Sequence, residues 1–359
     1  MTDLRIADTP DLLTAEWFTS ALSPALEGRK VTRVALAAVG TGQMCDSLRA
    51  SLTFDGPTAV PSTLIAKLPA ADETSRATAR SMGSYENEVR FYQQLAGDLP
   101  MRTPEVWYAD IDVETASFVL LLEDLANSRA GDQLAGCSVE QAQVAVDELV
   151  KLHAPRWGDA GLAEYPWLHR DPEMGQQLMM NLIPMMWDGF QRRYDAELTA
   201  EVREAGSQLV DHLAGYVLAE TSPWTVVHGD YRLDNLLFAD GPGAPPVAVV
   251  DWQTVTHGPG VQDVSYFIGA GLLPDARREV ERDLVRSYHE GLLAAGVEGY
   301  GWEACWYEYR RQTWAGLVMA IVASMLVERT ERGDRMFMAM ATRHAGHALD
   351  HDAGALLAG

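Results

Sequence analysis

Lysine is nearly absent from this chain of 359 residues, which contains only Lys30, Lys67 and Lys151. Arginine carries the remaining basic charge, and acidic side chains outnumber basic ones by 51 to 28, for a formal net charge of −23. Nucleic-acid binding needs a basic patch, and anionic membranes attract polybasic segments. The composition therefore argues against a nucleic acid or a membrane surface as a partner, and nothing in it indicates a protein partner.

Cysteine is scarce as well, since Cys45, Cys137 and Cys305 are odd in number and far apart. They show neither a disulfide framework nor a zinc-binding spacing. The longest apolar run, residues 314–327, is interrupted by Ser324 and is shorter than a membrane span. The first residues lack the basic segment followed by an apolar segment that marks a signal peptide. These absences predict a protein of the reducing cytoplasm.

The chain is longer than a usual single domain, and its 47% of apolar residues can form a sizeable core. Strand-like runs and turns dominate up to about residue 122, and helical patterns dominate after a capping box at Ser138 and Gln141. Helices are predicted near residues 10–22, 139–153, 173–193 and 196–218. The predicted fold class is α+β, with a strand-rich lobe at residues 1–123 and a mainly helical lobe at residues 124–359.

The most informative stretch is His-Gly-Asp-Tyr-Arg-Leu-Asp-Asn at residues 228–235, followed by an apolar run that ends in Asp251. Asp230 and Asn235 are five residues apart, and Asp251 follows 16 residues after Asn235. An aspartate can accept a hydroxyl proton, while amide and carboxylate oxygens are hard ligands that suit Mg²⁺. Phosphoryl transfer uses a proton acceptor and metal ligands, because it depends on positioning the reactants and on neutralising the charge of the phosphates. The alternative interpretation is a polar turn before an edge strand.

A phosphate-binding lysine is then expected on an early strand, and Lys67 lies in the strongly apolar run at residues 62–69. A charge in such a strand costs free energy unless it is paired. The helical pattern at residues 84–95 offers two carboxylates. Glu88 lies beside the apolar stripe of this helix and is the favoured partner, with Glu86 as second choice. Alternatively, Lys67 is an exposed edge-strand residue and both glutamates are solvated.

A glycine-containing turn, residues 39–45, separates two strand-like runs ahead of Lys67. Gly40 and Gly42 would let backbone amides approach phosphates closely. Only two of the three glycines of a Gly-x-Gly-x-x-Gly loop are present, because Cys45 occupies the third position. A plain hairpin turn would have a similar sequence.

Together these motifs resemble the aminoglycoside phosphotransferase superfamily, which includes choline kinases and ecdysteroid-kinase-like proteins. His-Gly-Asp in place of the His-Arg-Asp of protein kinases, and Asp-Trp-Gln at residues 251–253 in place of Asp-Phe-Gly, are typical of that group. Residues 118–125 resemble its strand and hinge between lobes. Residues 261–267 resemble a helix in which Asp263 supports the catalytic loop. No Ala-Pro-Glu motif follows Asp251, which favours a small-molecule hydroxyl over a protein substrate.

The resemblance covers the chain from about Val31 onward and implies a bilobal protein-kinase-like fold. It also implies an O-phosphotransferase that depends on ATP and Mg²⁺. By resemblance, Asp230 is the catalytic residue that deprotonates the acceptor hydroxyl. Asn235 and Asp251 are the metal ligands.

The remaining contacts that the resemblance implies bind the nucleotide. Lys67, oriented by Glu88, would pair with the α- and β-phosphates. The other contacts would come from the glycine turn and from the hinge: Gly40, Gly42, Glu123 and Leu125. The sequence leaves open whether the nucleotide is ATP or GTP. It also leaves open whether Arg232 pairs with a phosphate, pairs with Asp230 or only packs.

The class of acceptor is open to more than one interpretation. Met-rich stretches at residues 179–187 and 336–340 could line a pocket for a hydrophobic alcohol, or they could be ordinary helix core. Three carboxylates could instead contribute to holding a polycationic aminoglycoside: Asp188, Asp195 and Glu197. A hydrophobic or neutral alcohol is favoured over an aminoglycoside or a hydroxyacyl thioester. A catalytically weak nucleotide-binding or regulatory protein is the alternative from another functional class.

Overall fold

In a computed structural model, which describes residues 4–40, 44–168, 172–219, 221 and 223–358, the chain divides into two units. The first unit consists of Met1–Asp98, Thr103–Ala126 and Asp251–Gln253. The second unit consists of Leu99–Arg102, Asn127–Val250 and Thr254–Gly359. The three residues that begin with Asp251 thus belong to the first unit, although the chain on either side of them belongs to the second.

The first unit contains an antiparallel sheet whose central strand carries Lys67. Its described strands are β1 Val31–Ala38, β2 Cys45–Phe54, β3 Thr63–Pro69, β4 Val106–Asp112 and β5 Ser117–Glu123. Their order in the sheet is β1-β2-β3-β5-β4. Lys67 is in register with Ser47 on one side and with Leu120 on the other. Lys67 therefore lies on a central strand, and the alternative of an exposed edge-strand lysine is wrong.

Helices precede this sheet and follow its third strand: α1 Ala15–Ala21, α2 Ser23–Leu26, α3 Glu73–Met82 and α4 Ser84–Gln94. The helix predicted over residues 10–22 is wrong in its first half, because Pro10–Leu12 forms only a 3₁₀ turn. Leu13 leaves the helical region with a ψ of 61°. Thr14 then caps a new helix by accepting a hydrogen bond from Trp17 N at 3.1 Å. Helix α1 packs in an apolar cluster that includes residues of β1, β3 and β5.

The second unit is mainly helical, as the sequence predicts. Its described helices are α5 Val139–His153, α6 Pro172–Arg193, α7 Ala200–Asp211, α8 Leu213–Val217, α9 Val261–Gly271, α10 Pro274–Ala294, α11 Trp302–Arg311, α12 Trp314–Leu326 and α13 Glu331–Asp350. Its described strands are β6 Ser128–Ala130, β7 Thr225–Val227, β8 Leu236–Ala239, β9 Val247–Val249 and β10 Thr256–Gly258. They form a sheet of order β6-β8-β9 and a β7–β10 pair. The capping box is confirmed, since Ser138 and Gln141 exchange hydrogen bonds of 3.2 and 3.1 Å at the start of α5.

The core of the second unit is formed largely by α6, α7, α12 and α13. Most of α12 is buried, and in the part of the chain that the structure describes no helix is long and apolar enough to cross a membrane. The methionines of residues 336–340 are buried in this core. In the stretch of residues 179–187, by contrast, Met185 is 58% exposed, and Met174 and Leu178 just before it on α6 are 68% and 58% exposed. Core packing therefore accounts for one Met-rich stretch but for only part of the other.

Candidate active site

Lys67 is paired with Glu88 inside the first unit. Lys67 Nζ donates to Oε1 and Oε2 of Glu88 at 2.6 and 2.8 Å, and Glu88 is fully buried. The Glu86 side chain is instead 31% exposed, and its nearest cation is Arg90 at 3.9 Å. A buried lysine and a buried glutamate each need a charged partner, and here each is the partner of the other. The structure thus places Glu88, the favoured glutamate, beside Lys67.

Asp251 is the third member of this charge cluster. Its Oδ1 lies 3.3 Å from Lys67 Nζ, and its side chain is 36% exposed. Its φ of 67° is in the left-handed region, which costs free energy for a non-glycine residue but is tolerated best by Asn and Asp. The chain is anchored directly after it, because the Trp252 ring stacks on Phe91 at a centroid distance of 3.7 Å. A partly exposed carboxylate is therefore held beside a buried ammonium group.

Burial and charge together set the protonation of this cluster. Burial alone would lower the pKa of Lys67, but the charges of Asp251 and Glu88 raise it well above its usual value. Burial raises the pKa of the Cys45 thiol to about 12, although Lys67 acts in the opposite sense. Lys67 is therefore a cation near neutral pH, and Cys45 is a neutral thiol rather than a nucleophile.

The glycine turn and the hinge are described only in part. Gly40 has a φ of 75°, and a Cβ added there would meet no described atom within 4 Å. Gly42 lies outside the described residues. Glu123 ends β5, where its N donates to Glu105 O at 2.8 Å and its Oε2 accepts from Glu105 N at 3.0 Å. Leu125 is half-buried. The nucleotide contacts predicted for these residues stay predictions.

In the second unit, three donors hold the carboxylate of Asp230. Tyr266 Oη donates to Oδ1 at 2.6 Å. Arg232 Nε and Asn235 Nδ2 each donate to Oδ2 at 3.0 Å. These hydrogen bonds restrict the carboxylate to one orientation. The side chain is 18% exposed, and Oδ1, with its second lone pair, can still accept a hydroxyl proton.

Arg232 and Asn235 each have a defined place around Asp230. Arg232 also donates from Nη1 to Asp234 Oδ2 at 2.6 Å, and the same nitrogen lies 3.3 Å from Met336 Sδ. The sequence left open whether Arg232 pairs with a phosphate, pairs with Asp230 or only packs, and the structure shows the pairing with Asp230. The Asn235 amide nitrogen donates both to the carboxylate and to the backbone O of Asp230, at 3.0 and 2.9 Å. Its amide oxygen is consequently the atom that could face a metal ion.

Asp263, in the first turn of α9, holds the backbone of the catalytic loop. Its Oδ2 accepts from His228 N at 2.6 Å, and its Oδ1 accepts from Gly229 N at 3.0 Å. His153 Nε2 also lies 3.3 Å from Oδ2. Gly229 has a φ of 80°, and a Cβ added there would lie 2.6 Å from Thr254 O, so the turn requires glycine. Asp263 thus has the supporting position that the resemblance implies.

Tyr266 is a site residue that the sequence did not reveal. It lies three residues after Asp263, so one face of α9 carries both the support of the loop and a donor to Asp230. Burial and the charge of Asp230 raise the pKa of Tyr266 well above its usual value, so the phenol stays protonated and donates. The spacing from Asp263 was the available signal, but its meaning depends on where α9 lies in the fold.

Several solved structures share this fold. A choline kinase from Cryptosporidium parvum Iowa II has a TM-score of 0.55 at 10% identity, with 89% of each chain covered. Plasmodium vivax ethanolamine kinase has a TM-score of 0.52 at 9% identity, covering 94% of this chain and 89% of that one. APH(2")-IIa, in a ternary complex with streptomycin and ATP, has a TM-score of 0.51 at 14% identity, covering 93% and 96%. The architecture is that of the protein-kinase-like small-molecule kinases.

The family follows from the sequence match. Residues 44–296 match the ecdysteroid kinase-like family, and this range contains Lys67, Glu88, Asp230, Asn235 and Asp251. Because the match covers more than half of the chain, this protein belongs to the ecdysteroid kinase-like family of kinase-like small-molecule phosphotransferases. The predicted superfamily is confirmed. No curated protein sequence matches this chain significantly.

Proposed function

We propose that this protein transfers a phosphoryl group from ATP, with Mg²⁺, to a hydroxyl of a hydrophobic or neutral alcohol. The observation that carries the proposal is the Asp230 carboxylate, which three hydrogen-bond donors hold in one orientation. The buried Lys67–Glu88 pair, with Asp251 beside it, adds a fixed cation and a carboxylate. In phosphoryl transfer the protein mainly positions the reactants and neutralises charge, so a base, a cation and metal-binding oxygens suffice.

Each polar side chain has one role in this proposal. Lys67 pairs with the α- and β-phosphates, and Glu88 keeps its ammonium group in place. Asp230 accepts the proton of the acceptor hydroxyl as that oxygen attacks the γ-phosphoryl group. The amide oxygen of Asn235 and the carboxylate of Asp251 are hard oxygen donors of the kind that suits Mg²⁺, and they would hold it. When bound, Mg²⁺ neutralises charge on the phosphates.

Exposed apolar side chains support a hydrophobic or neutral acceptor. Met174, Leu178 and Met185 are separated by four and seven residues on α6, which places them on one helix face, and each is more than half exposed. Methionine suits surfaces that adapt to apolar ligands. An apolar atom also lies at the catalytic loop, because Met336 Sδ is 3.3 Å from Arg232 Nη1.

The alternative of an aminoglycoside acceptor has less support. Of the carboxylates considered for it, Asp195 already pairs with Arg203 at 2.8 Å, and Asp188 and Glu197 are exposed to solvent. An exposed carboxylate binds a cation weakly, because water screens the attraction. The streptomycin complex shares the fold of this protein at 14% identity. Identity this low shows the fold and gives no indication of the acceptor.

Release of ADP from Mg·ATP in the presence of a panel of acceptors tests the proposal. The panel contains sterols, choline-like alcohols, aminoglycosides and hydroxyacyl thioesters, and Asp230→Ala is the control. We expect release with a sterol or a choline-like alcohol, and its loss in the variant. If only aminoglycosides or thioesters gave ADP release, the protein would still be a phosphotransferase, but its acceptor would differ from the one proposed. ATP binding without turnover of any acceptor would favour a regulatory nucleotide-binding protein.

Asp251→Ala is expected to weaken the binding of Mg·ATP about 10- to 100-fold, since even outer partners of a metal site contribute this much. Lys67 keeps Glu88 as its partner in this variant, so the fold should persist. Asp240→Ala is the matched control, because the Asp240 side chain is 52% exposed and pairs with Arg129 at 3.2 Å. Calorimetric titration with ATP, with and without Mg²⁺, measures the effect. Unchanged curves for Asp251→Ala would remove Asp251 from the metal site.

Tyr266→Phe is expected to lower kcat about 10- to 100-fold without changing KM for ATP. A hydrogen bond to a charged group contributes about 1.5–3 kcal/mol, and about 1.4 kcal/mol corresponds to a tenfold change in rate. Tyr194→Phe is the matched control, because Tyr194 Oη also donates to a carboxylate, that of Asp334, at 2.8 Å. Steady-state kinetics compare the two variants. A raised KM with unchanged kcat in Tyr266→Phe would contradict its role in positioning Asp230.

A further inference from the structure

A second cluster of ionisable side chains lies in the helical unit, where α10 and α13 meet. It consists of Glu281 on α10, His347 in the last turn of α13 and His351 at the C-cap of α13. Glu281 and His347 are buried, and the His351 side chain is 10% exposed. The two histidines are four residues apart and therefore project from the same face of the helix. One ligand atom from each of the three residues lies within 4.8 Å of the other two.

The distances between these atoms are those of ligands around one small ion. His347 Nε2 lies 3.4 Å from Glu281 Oε2, and His351 Nε2 lies 3.2 Å from Glu281 Oε1. Zinc bonds to histidine nitrogen and carboxylate oxygen are about 2.0–2.1 Å long, so neighbouring ligands of a tetrahedral ion lie about 3.4 Å apart. Each histidine nitrogen therefore lies at a ligand-like distance from an oxygen of Glu281, and the three ligand atoms lie within 4.8 Å of one another.

His351 provides an independent indication of a ligand. Its Nε2 atom is buried and, among the described residues, makes no contact with hydrogen-bond geometry, although it lies against the Glu281 carboxylate. A buried polar atom without a hydrogen bond is rare in proteins and calls for an explanation. Its neighbour Glu281 Oε1, at 3.2 Å, is also a metal-ligand atom, so an ion bound to both atoms would satisfy this nitrogen.

We infer that Glu281, His347 and His351 form a binding site for a divalent transition-metal ion, with Zn²⁺ as the expected occupant. Two imidazole nitrogens and one carboxylate are a ligand set that zinc uses in proteins. The predominance of nitrogen distinguishes this site from the all-oxygen set proposed for Mg²⁺. The two sites share no residue.

The surroundings of the cluster both orient the ligands and limit the affinity. Tyr309 Oη lies 3.0 Å from His347 Nε2 and 3.3 Å from Glu281 Oε2. Arg277 Nη1 donates to the same Oε2 at 2.6 Å. The contacts to Oε2 are of the outer kind that orients metal ligands. The contact of Tyr309 Oη with His347 Nε2 competes with a metal ion for that nitrogen. The charge of Arg277 opposes a cation, but Arg277 also pairs with Asp350, which offsets part of that charge. We therefore expect weaker binding than in a cysteine-rich structural zinc site.

An ion at this point would join α10 to α13 and would act structurally. Helix α13 also carries His344, whose ring centroid lies 5.4 Å from that of Tyr266. Tyr266 in turn donates to Asp230. The ion would thus stabilise the position of α13, which packs against Tyr266 of α9, without contacting the reacting groups.

Zinc titration of an Asp251→Ala parent, in competition with a chromophoric chelator, tests the inference while excluding the proposed Mg²⁺ site. We expect saturable binding at a single site. His347→Gln and His351→Gln should each weaken it at least about tenfold, because loss of even an outer partner costs about 10- to 100-fold. His212→Gln, at the C-cap of α7, is the matched control and should keep the parent affinity. Absence of saturable binding in the parent, or parent affinity in both histidine variants, would overturn the inference.

The visible spectrum of bound Co²⁺ is a second readout, and it does not depend on the folding of any histidine variant. Four-coordinate Co²⁺ absorbs strongly in the visible range, whereas six-coordinate Co²⁺ absorbs weakly. Strong absorption that Zn²⁺ displaces from the Asp251→Ala parent is the expected result. Weak absorption would overturn the inference. Zinc should also raise the melting temperature of the parent, because an ion that binds only the folded state stabilises it.

Discussion

Asp230→Ala is expected to lower the rate of phosphoryl transfer about 100- to 10,000-fold, the usual contribution of a positioned general base. ATP should still bind, because the proposed nucleotide contacts come from other residues. The groups around the carboxylate cannot replace it. The Arg232 guanidinium and the Asn235 amide nitrogen are donors only, and the protonated phenol of Tyr266 donates to Asp230. None of the three is therefore placed to accept the hydroxyl proton.

Asp234→Asn is the matched control for this prediction. Asp234 lies in the same loop, and its Oδ2 also accepts from Arg232, at 2.6 Å. Its side chain is 15% exposed, compared with 18% for Asp230. Because Asp234 has no part in the proposed chemistry, we expect a much smaller loss of kcat. ADP release and the Kd for ATP, measured on both variants, test the assignment of Asp230 as the base. Full activity of Asp230→Ala would refute the assigned base, and equal losses in both variants would indicate loop geometry instead.

Glu88→Ala is expected to lower the free energy of unfolding by about 3–5 kcal/mol, the usual cost of removing one partner of a buried ion pair. Lys67 is only 8% exposed on the central strand β3, so water cannot replace the lost carboxylate. Asp251 Oδ1, at 3.3 Å, is the acidic group left beside the ammonium. Lys67 should then turn towards Asp251 and away from the place where it would meet phosphate. We therefore expect ATP binding to weaken together with stability.

Glu86→Ala provides the comparison on the same helix. The Glu86 side chain is 31% exposed, and Arg90 lies 3.9 Å away. Exposed ion pairs contribute about 0–1 kcal/mol, so this variant should unfold close to the wild type. Urea denaturation and ATP titration of both variants test the pairing. A loss of stability in Glu86→Ala as large as in Glu88→Ala would show that the buried partner of Lys67 has been wrongly assigned.

The candidate site was predictable where short stretches of chain carry its geometry. Asp230 and Asn235 lie five residues apart on one loop, and a single turn brings the Asn235 amide to the Asp230 carboxylate. A lysine within an apolar strand must find a charged partner, so Lys67 indicated that a carboxylate would lie nearby. Helix periodicity placed Glu88 beside the buried stripe of α4. These inferences needed only local spacing and the cost of burying charge.

Other parts of the site could not be predicted, because their partners come from distant elements. Tyr266 lies 36 residues after Asp230, and its role depends on α9 packing beside the catalytic loop. The cluster of Glu281, His347 and His351 joins two helices that are distant in sequence, so no local spacing indicates it. The break at Leu13 depends on a single backbone ψ of 61° rather than on apolar periodicity.

The sequence by itself determined the family and the α+β fold class, because motif spacing and residue chemistry are properties of the chain. Tertiary structure alone decided that Glu88 rather than Glu86 meets Lys67, that Lys67 lies on a central strand and that Tyr266 holds Asp230. The physical reason is that periodicity identifies which face of an element is buried. Only packing brings that face against a particular neighbour.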